Sequence, residues 1–135
     1  MDKIISLNKK DLIGINQEIG SNGKFHNEDS MDFALSTAKH KSWLYELSYI
    51  ARSLLVDHCF EDGNKRTAIT VIATYFENND LSYDKDKLTK IVWKIAKKNI
   101  TDMSVNRKAI SEHAQKQEVF DINKLMRMIK NAIVP

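Results

Sequence analysis

The sequence predicts an all-α protein, a compact helical bundle around one central buried helix. Only four of the 135 residues are glycine, and the one proline is the last residue, so residues that interrupt helices are rare. Apolar residues recur at spacings of three and four along most of the chain. The segment 64–78 is apolar on nearly every side in its middle, which is typical of the innermost helix of a bundle. The length fits a single domain over residues 1–135.

The helix bounds follow from apolar periodicity and from residues that cap helices. Asn8, Ser30 and Asp84 are expected as N-caps, and 20–23 has the composition of a turn. The stretch 24–29 is polar and is expected to form a short irregular or β-hairpin flap. The predicted helices are 9 to about 20, 31–35, 42–56, 64–78, 85–99, about 104–116 and 121–134.

Composition excludes several classes of protein. A single cysteine, Cys59, excludes an internal disulfide and a cysteine-based zinc site, and it fits a reducing cytoplasm. Every apolar run is far shorter than the ~20 residues that cross a bilayer, and no signal peptide is visible, so a cytoplasmic protein without a membrane partner is expected. The net charge is +3, and residues 84–135 carry 12 basic against 6 acidic side chains.

The segment 58–66, HCFEDGNKR, has the features of an anion site. Gly63 permits backbone angles closed to other residues, and the chain after it opens a helix whose free N–H groups point at one spot. Polyphosphate is the usual anion at such a helix start. Lys65 and Arg66 add two positive charges, and Asn64 offers amide donors.

Two further residues of the segment suggest chemistry. A lone carboxylate beside phosphate oxygens, here Asp62, is a typical magnesium arrangement, because Mg²⁺ keeps several waters and takes ligands from the nucleotide. Histidine in model peptides has a pKa near 6.5, so a histidine at this place, His58, is a residue type that can accept a proton from a hydroxyl nucleophile at neutral pH. Phe60 is expected to point into the core and hold the loop.

The same segment resembles the signature of the Fic/Doc family, specifically of its Doc ("death on curing") toxin-like branch. The resemblance implies that His58 is the general base, that Asp62 holds Mg²⁺, and that phosphates are held by Gly63, Asn64, Lys65 and Arg66. It also implies a flap that aligns the target by strand-like pairing, for which the candidates are Lys24, Phe25 and His26.

Departures from the family pattern favour one chemistry over another. AMP-transferring members carry glycine where this chain has Lys65 and a second arginine where it has Ile69. Doc-type toxins share the lysine and lack that arginine. The resemblance therefore implies an enzyme that transfers the γ-phosphate of ATP, with Mg²⁺, to a protein hydroxyl, such as a threonine of elongation factor Tu or of another translation or signalling protein. AMP transfer to a protein hydroxyl is the alternative. Gly63 itself differs from the alanine of Doc.

The resemblance also bears on regulation. Many family members carry an inhibitory Ser/Thr-x-x-x-Glu-Gly/Asn motif, and the nearest candidate here, Ser42 to Glu46, is followed by Leu47, so we interpret the motif as absent. A separate antitoxin is then expected, and the lysine-rich helix 87–98 is a candidate to receive an acidic antitoxin segment.

Less specific interpretations compete for the same features. An inactive nucleotide-binding or nucleic-acid-binding module is the less favoured alternative, and nucleic acid is weakened because no stacking aromatic is expected among the lysines. Cys59 is expected to be a packing residue without a lowered pKa. His26, His40 and His113 are expected at the surface, and Met126 and Met128 in a core or dimer face.

Overall fold

The computed structural model describes residues 6–105 and 122–133. The helices it describes are α1 (Lys9–Glu18), α2 (Glu28–Thr37), α3 (Trp43–Leu55), α4 (Asn64–Asn78), α5 (Lys85–Val105) and α6 (122–130). This part of the chain contains no strand, only two isolated β-bridges. The predicted all-α bundle is confirmed.

Most helices begin where the capping chemistry places them. Asn8 caps α1 in a reciprocal capping box with Asp11, and the Ser42 hydroxyl caps α3 by accepting from the backbone N–H of Tyr45. The carboxylate of Asp84 accepts from the N–H of Lys87 at the start of α5. Asn8 and Asp84 are the predicted caps, and α3 begins at Trp43, one residue after the predicted start at Ser42.

The centre of the bundle is α4, which packs against α1, α3 and α5. Its buried residues are Thr67, Ala68, Val71, Ile72, Tyr75 and Phe76. Between Thr67 and Phe76 no side chain is fully exposed, so the expectation of a central helix is confirmed. Helix α6 contributes Ile122, Leu125 and Ile129 to the same core, as its apolar face predicted. Its Met126 and Met128 are partly buried against that core.

The two bridges attach irregular segments to this bundle. Phe25 pairs antiparallel with Phe60, which joins the predicted flap to the segment before α4. Tyr83 pairs with Ile133, and the N–H of Asp84 donates to the carbonyl of Ala132 at 3.2 Å. The first bridge positions the candidate site, and the second fastens the end of the described chain to the start of α5.

Two predicted bounds are wrong. Helix α2 begins at Glu28, because the side-chain oxygen of Asn27 caps it by accepting from the N–H of Ser30 at 3.2 Å; the hydroxyl of Ser30 instead contacts Ser53 and Asp57. Helix α5 continues to Val105, since no glycine or proline interrupts 99–105, so the predicted helix 104–116 does not begin at 104. The remainder of 104–116, with His113, lies outside the described residues. Within the described residues no helix is both long and apolar enough to cross a membrane.

Candidate functional site

The candidate base, His58, lies on a short connection between α3 and α4. Its side chain is exposed, and its φ of 49° lies in the left-handed region, which a non-glycine residue adopts only when its surroundings hold it there. Hydrogen bonds hold the residues on both sides. The carbonyl of Cys59 accepts from the N–H groups of His26 (2.7 Å) and Asn27 (2.9 Å).

On the other side, Asp57 is held by a chain of hydroxyl groups. The Ser30 hydroxyl donates to the carboxylate of Asp57 at 2.7 Å, and it lies 2.7 Å from the Ser53 hydroxyl. Since Ser30 has one proton to donate, Ser53 is then the donor to Ser30. We call these three residues the serine clamp. It lines a cleft of about 100 Å³ between α2 and α3, and it ties the side chain of Asp57, the residue directly before His58, to both helices.

The start of α4 differs from those of α1, α2 and α3. Asn8, Asn27 and Ser42 cap those helices with side chains, and each of those helices has an acidic residue in its first turn. Helix α4 begins at Gly63, which has a φ of 76°, no side-chain cap and no acidic residue in the first turn. The N–H groups of residues 64–66 donate to no acceptor in the described part of the chain. They and the positive end of the helix dipole are available to an anion.

Asn64 is engaged within the loop. Its side-chain oxygen accepts from the N–H of Phe60 at 3.0 Å, and its amide donates to the carbonyl of Phe60 at 2.9 Å. The predicted amide donors are therefore used to close the loop, and what Asn64 presents outward at the helix start is its backbone N–H. Phe60 is 1% exposed, which confirms that it points into the core.

The two basic residues of the segment have different surroundings. Arg66 is exposed and donates one N–H to the carbonyl of Ile19, the residue that follows α1, at 3.1 Å. Lys65 places its ammonium 4.2 Å from the ring centroid of Trp93 on α5. Arg66 thus keeps an exposed side chain at the start of α4, whereas the ammonium of Lys65 lies against α5.

Asp62, the candidate metal ligand, is exposed and lies 3.5 Å from the Ser21 hydroxyl through its carboxylate. The described residues contain no group of three or more His, Cys, Asp or Glu side chains able to hold a metal alone. A single accessible carboxylate fits Mg²⁺ only where a bound nucleotide and waters complete the coordination shell. The donor set thus suits a nucleotide-borne magnesium ion.

Sequence reasoning missed Asn16, which joins three parts of the site. It is fully buried in α1, and its amide donates to the carbonyl of Asp62 at 2.9 Å and to the hydroxyl of Thr67 at 3.0 Å. Its side-chain oxygen accepts from the N–H of Gly23 at 2.9 Å. The sequence did contain a signal for this residue: Asn16 is polar, yet it lies one turn after Leu12 on the apolar side of α1, where a buried polar contact is indicated.

Gly63 is covered by the turn after α1. A Cβ built on Gly63 would lie 2.3 Å from the Ser21 hydroxyl oxygen and 2.8 Å from Cδ1 of Ile19. No side chain fits there without a shift of that turn, and the positive φ disfavours one as well. Both observations explain why this position is glycine in this chain.

The flap residues pair with the loop and leave one edge open. The carbonyl of Lys24 accepts from the N–H of Glu61 at 3.0 Å, while Phe25 stacks on Phe60 with ring centroids 4.6 Å apart. The N–H and C=O of Phe25 form no hydrogen bond within the described residues. In an extended segment these two groups point away from the paired side, so they form a free edge.

Cys59, beside the base, is a packing residue. It is fully buried, and burial raises the pKa of its thiol to about 11. A thiol with a raised pKa is a poor nucleophile, so this result confirms the sequence prediction. His26 and His40 are exposed, as expected.

The structure therefore brings His58, Asp62 and the open start of α4 into one junction, and it pairs Lys24–His26 with residues 59–61 of that junction. Comparisons with known proteins do not identify a family: the chain matches no protein-family model, no curated protein and no solved structure.

Proposed function

We propose that this protein is a Doc-like phosphotransferase that moves the γ-phosphoryl group of ATP to a hydroxyl side chain of a protein target. The observation that carries the proposal is the left-handed glycine start of α4, which no side chain caps, five residues after the strained, exposed His58. The resemblance of residues 58–66 to the Fic/Doc signature supplies the reaction class.

Phosphate binding is assigned to the start of α4. Three N–H groups without an acceptor among the described residues and the positive end of the helix dipole meet there, exposed Arg66 lies in the same turn, and no side-chain oxygen caps this helix in the place that a phosphate would take. Backbone donors are fixed in place before the ligand arrives, so they stabilise charge on a phosphoryl group without reorganising.

His58 would act as the general base. Its ring would take the proton of the target hydroxyl, the hydroxyl oxygen would form the new bond to the γ-phosphorus, and the bond from that phosphorus to the bridging oxygen would break, leaving ADP. The serine clamp holds the side chain of Asp57 and the flap holds the carbonyl of Cys59, so the residues on both sides of His58 are fixed before substrate binds.

Asp62 would hold Mg²⁺, which when bound neutralises phosphate charge. The accessible carboxylate and its distance of 3.5 Å from the Ser21 hydroxyl leave it free to approach a nucleotide. This assignment rests on one carboxylate. A single protein ligand is sufficient when the cation arrives bound to ATP, because the nucleotide and waters supply the other ligands.

The target segment would pair with the free edge of Phe25. An extended peptide adds to such an edge through main-chain hydrogen bonds, which would bring its hydroxyl alongside the loop that carries His58. By resemblance, a threonine of elongation factor Tu is the first target to test, and a separate antitoxin is the expected inhibitor.

The position of the radiolabel in ATP tests the proposal. Purified protein is incubated with a bacterial lysate, Mg²⁺ and ATP labelled at either the α- or the γ-phosphate, and the labelled proteins are separated by electrophoresis. We expect label from γ-labelled ATP only. Label from α-labelled ATP only would instead establish AMP transfer, and no label from either would contradict the proposed enzyme.

A further inference from the structure

The solvent-facing side of α5 carries a tryptophan among lysines. The buried side of this helix is formed by Leu88, Val92 and Ile95. The opposite side is exposed, and we call its residues, together with the lysine that reaches it from α4, the Trp93 face: Lys65, Lys87, Lys90, Trp93 and Lys94.

Trp93 contradicts the expectation that no aromatic lies among these lysines. Its side chain is 55% exposed, and Phe33 is the only other large hydrophobic residue so exposed in the described part of the chain. Residues three apart on a helix are neighbours, so Lys90 adjoins Trp93, while the ammonium of Lys65 lies 4.2 Å from the indole centroid. Trp93 is not among the residues that pack against the core, so its indole is a flat apolar surface placed among cationic side chains.

We infer that the Trp93 face binds an acidic polypeptide segment that carries an aliphatic or aromatic side chain. The face has four lysines, and the exposed acidic residues of the described part of α5 and its start, Asp84 and Asp86, lie at one end of it, so the face attracts carboxylates. The indole offers a flat apolar surface for one anchoring side chain between those contacts. Single-stranded nucleic acid needs successive aromatic platforms, and this face provides one indole, so the peptide is the better fit.

Lys65 couples this face to the start of α4. It is the second residue of α4, within the proposed phosphate site, and its ammonium lies over the indole ring of Trp93. Carboxylates bound on the Trp93 face would hold Lys65 there and withdraw its charge from nucleotide phosphates. This part of the inference rests on the proposed function: the acidic segment would weaken ATP binding.

Peptide binding is measured first, without nucleotide. The probe is a fluorescein-labelled 16-residue peptide of alternating glutamate and leucine, followed by anisotropy at low salt. We expect saturable binding that weakens about tenfold in Trp93→Ala and in the double variant Lys90→Glu/Lys94→Glu. The matched control Lys39→Glu/Lys41→Glu makes the same charge change at exposed lysines between α2 and α3, and it should change the affinity less than twofold.

Several outcomes overturn the inference. These are no binding of the peptide, an equal loss in the control variant, or tighter Trp93-dependent binding of an oligothymidylate of matched charge. Circular dichroism establishes that each variant is folded. ATP affinity is then measured with and without saturating peptide. If the peptide leaves ATP affinity unchanged, only the coupling through Lys65 is overturned. If the protein does not bind ATP at all, the proposed function is contradicted and the peptide-binding result still stands.

Discussion

Asn16 is the residue on which the geometry of the site most depends. It has no exposure to solvent, and its three hydrogen bonds reach the flap turn at Gly23, the loop at Asp62 and the first turn of α4 at Thr67. Removing the amide would leave the buried Thr67 hydroxyl without this partner. One side chain thus sets the spacing of three segments that are far apart in the chain.

Replacing Asn16 with alanine is expected to lower the free energy of unfolding by about 3 kcal/mol, because several polar groups lose their partner at once. Urea denaturation measures the change. Glu18→Ala, an exposed position on the same helix, serves as control and should change stability by less than about 0.5 kcal/mol. Equal stability of Asn16→Ala and wild type would show that these contacts do not hold the site together.

Ser30 offers a separate test of how the base is positioned. Its hydroxyl fixes Asp57, one residue before His58, through the serine clamp. Ser30→Ala is expected to lower the rate of label transfer about tenfold or more while ATP affinity stays the same, since misplacing a base affects the chemical step. A change confined to ATP affinity would show that the clamp acts on nucleotide binding instead.

At the scale of helices, two glycines make opposite predictions. A methyl group placed on Gly14, within α1, would have no neighbouring atom within 4 Å, whereas a methyl group on Gly63 would collide with Ser21 and Ile19. Gly14→Ala should raise stability by roughly 0.5–1 kcal/mol, because alanine restricts the unfolded chain and favours helix. Gly63→Ala should lower it by more than about 1 kcal/mol.

Thermal unfolding followed by circular dichroism compares the two glycine variants with wild type. The expected order of melting temperatures, from highest to lowest, is Gly14→Ala, wild type, Gly63→Ala. The reverse order would mean that the turn after α1 moves to accommodate a side chain at Gly63. The tight packing of that turn against the start of α4 would then be contradicted.

The helices were predictable where a local residue decides them. Asn8 and Asp84 act within their own helix starts, so the sequence alone places these caps, and it places the start of α3 to within one residue. Ser30 could not be placed in this way, because its partners, Ser53 and Asp57, are more than twenty residues away. The start of α2 is itself local, because the side-chain oxygen of Asn27 accepts from the N–H of Ser30, whereas the tertiary partners of the Ser30 hydroxyl lie beyond any local capping rule.

The candidate site shows the same division. The motif that contains His58 and Gly63 is contiguous, so it is visible in the sequence. The contact between Lys65 and Trp93 depends on how α4 packs against α5. The spacing of three residues predicts that Lys90 and Trp93 lie on the same side of α5. It does not predict that Trp93 is exposed, because a tryptophan is more often buried on the core side.

For the whole molecule, stability should fall above about pH 9. The pKa of the Cys59 thiol is raised from 9.0 to about 11 by burial, so the folded state keeps its proton where the unfolded chain has lost it. The contribution of the protonated thiol to the free energy of unfolding is complete below the pKa of the unfolded chain, and it is lost as the pH rises through 11. Burial also raises the pKa of Tyr75, which acts in the same direction.

Urea denaturation of wild type and Cys59→Ala at pH 7 and pH 10.5 isolates the thiol. The stability of wild type relative to the variant should decrease by about 2 kcal/mol between the two pH values. The native thiol should also resist alkylation at pH 7, since it is fully buried. An unchanged difference across this pH range would mean that the thiol titrates normally in the folded protein.

The central claim, that His58 is the base of a phosphoryl transfer, is tested most directly by comparing two histidines. His58 and His40 are both exposed and both have a left-handed φ, 49° and 67°, but only His58 adjoins the start of α4. Asparagine tolerates such angles, so His58→Asn and His40→Asn are matched substitutions. Transfer of label from γ-labelled ATP should fall about 10²- to 10⁴-fold in His58→Asn and remain at the wild-type rate in His40→Asn. Equal rates in wild type and His58→Asn would contradict the account.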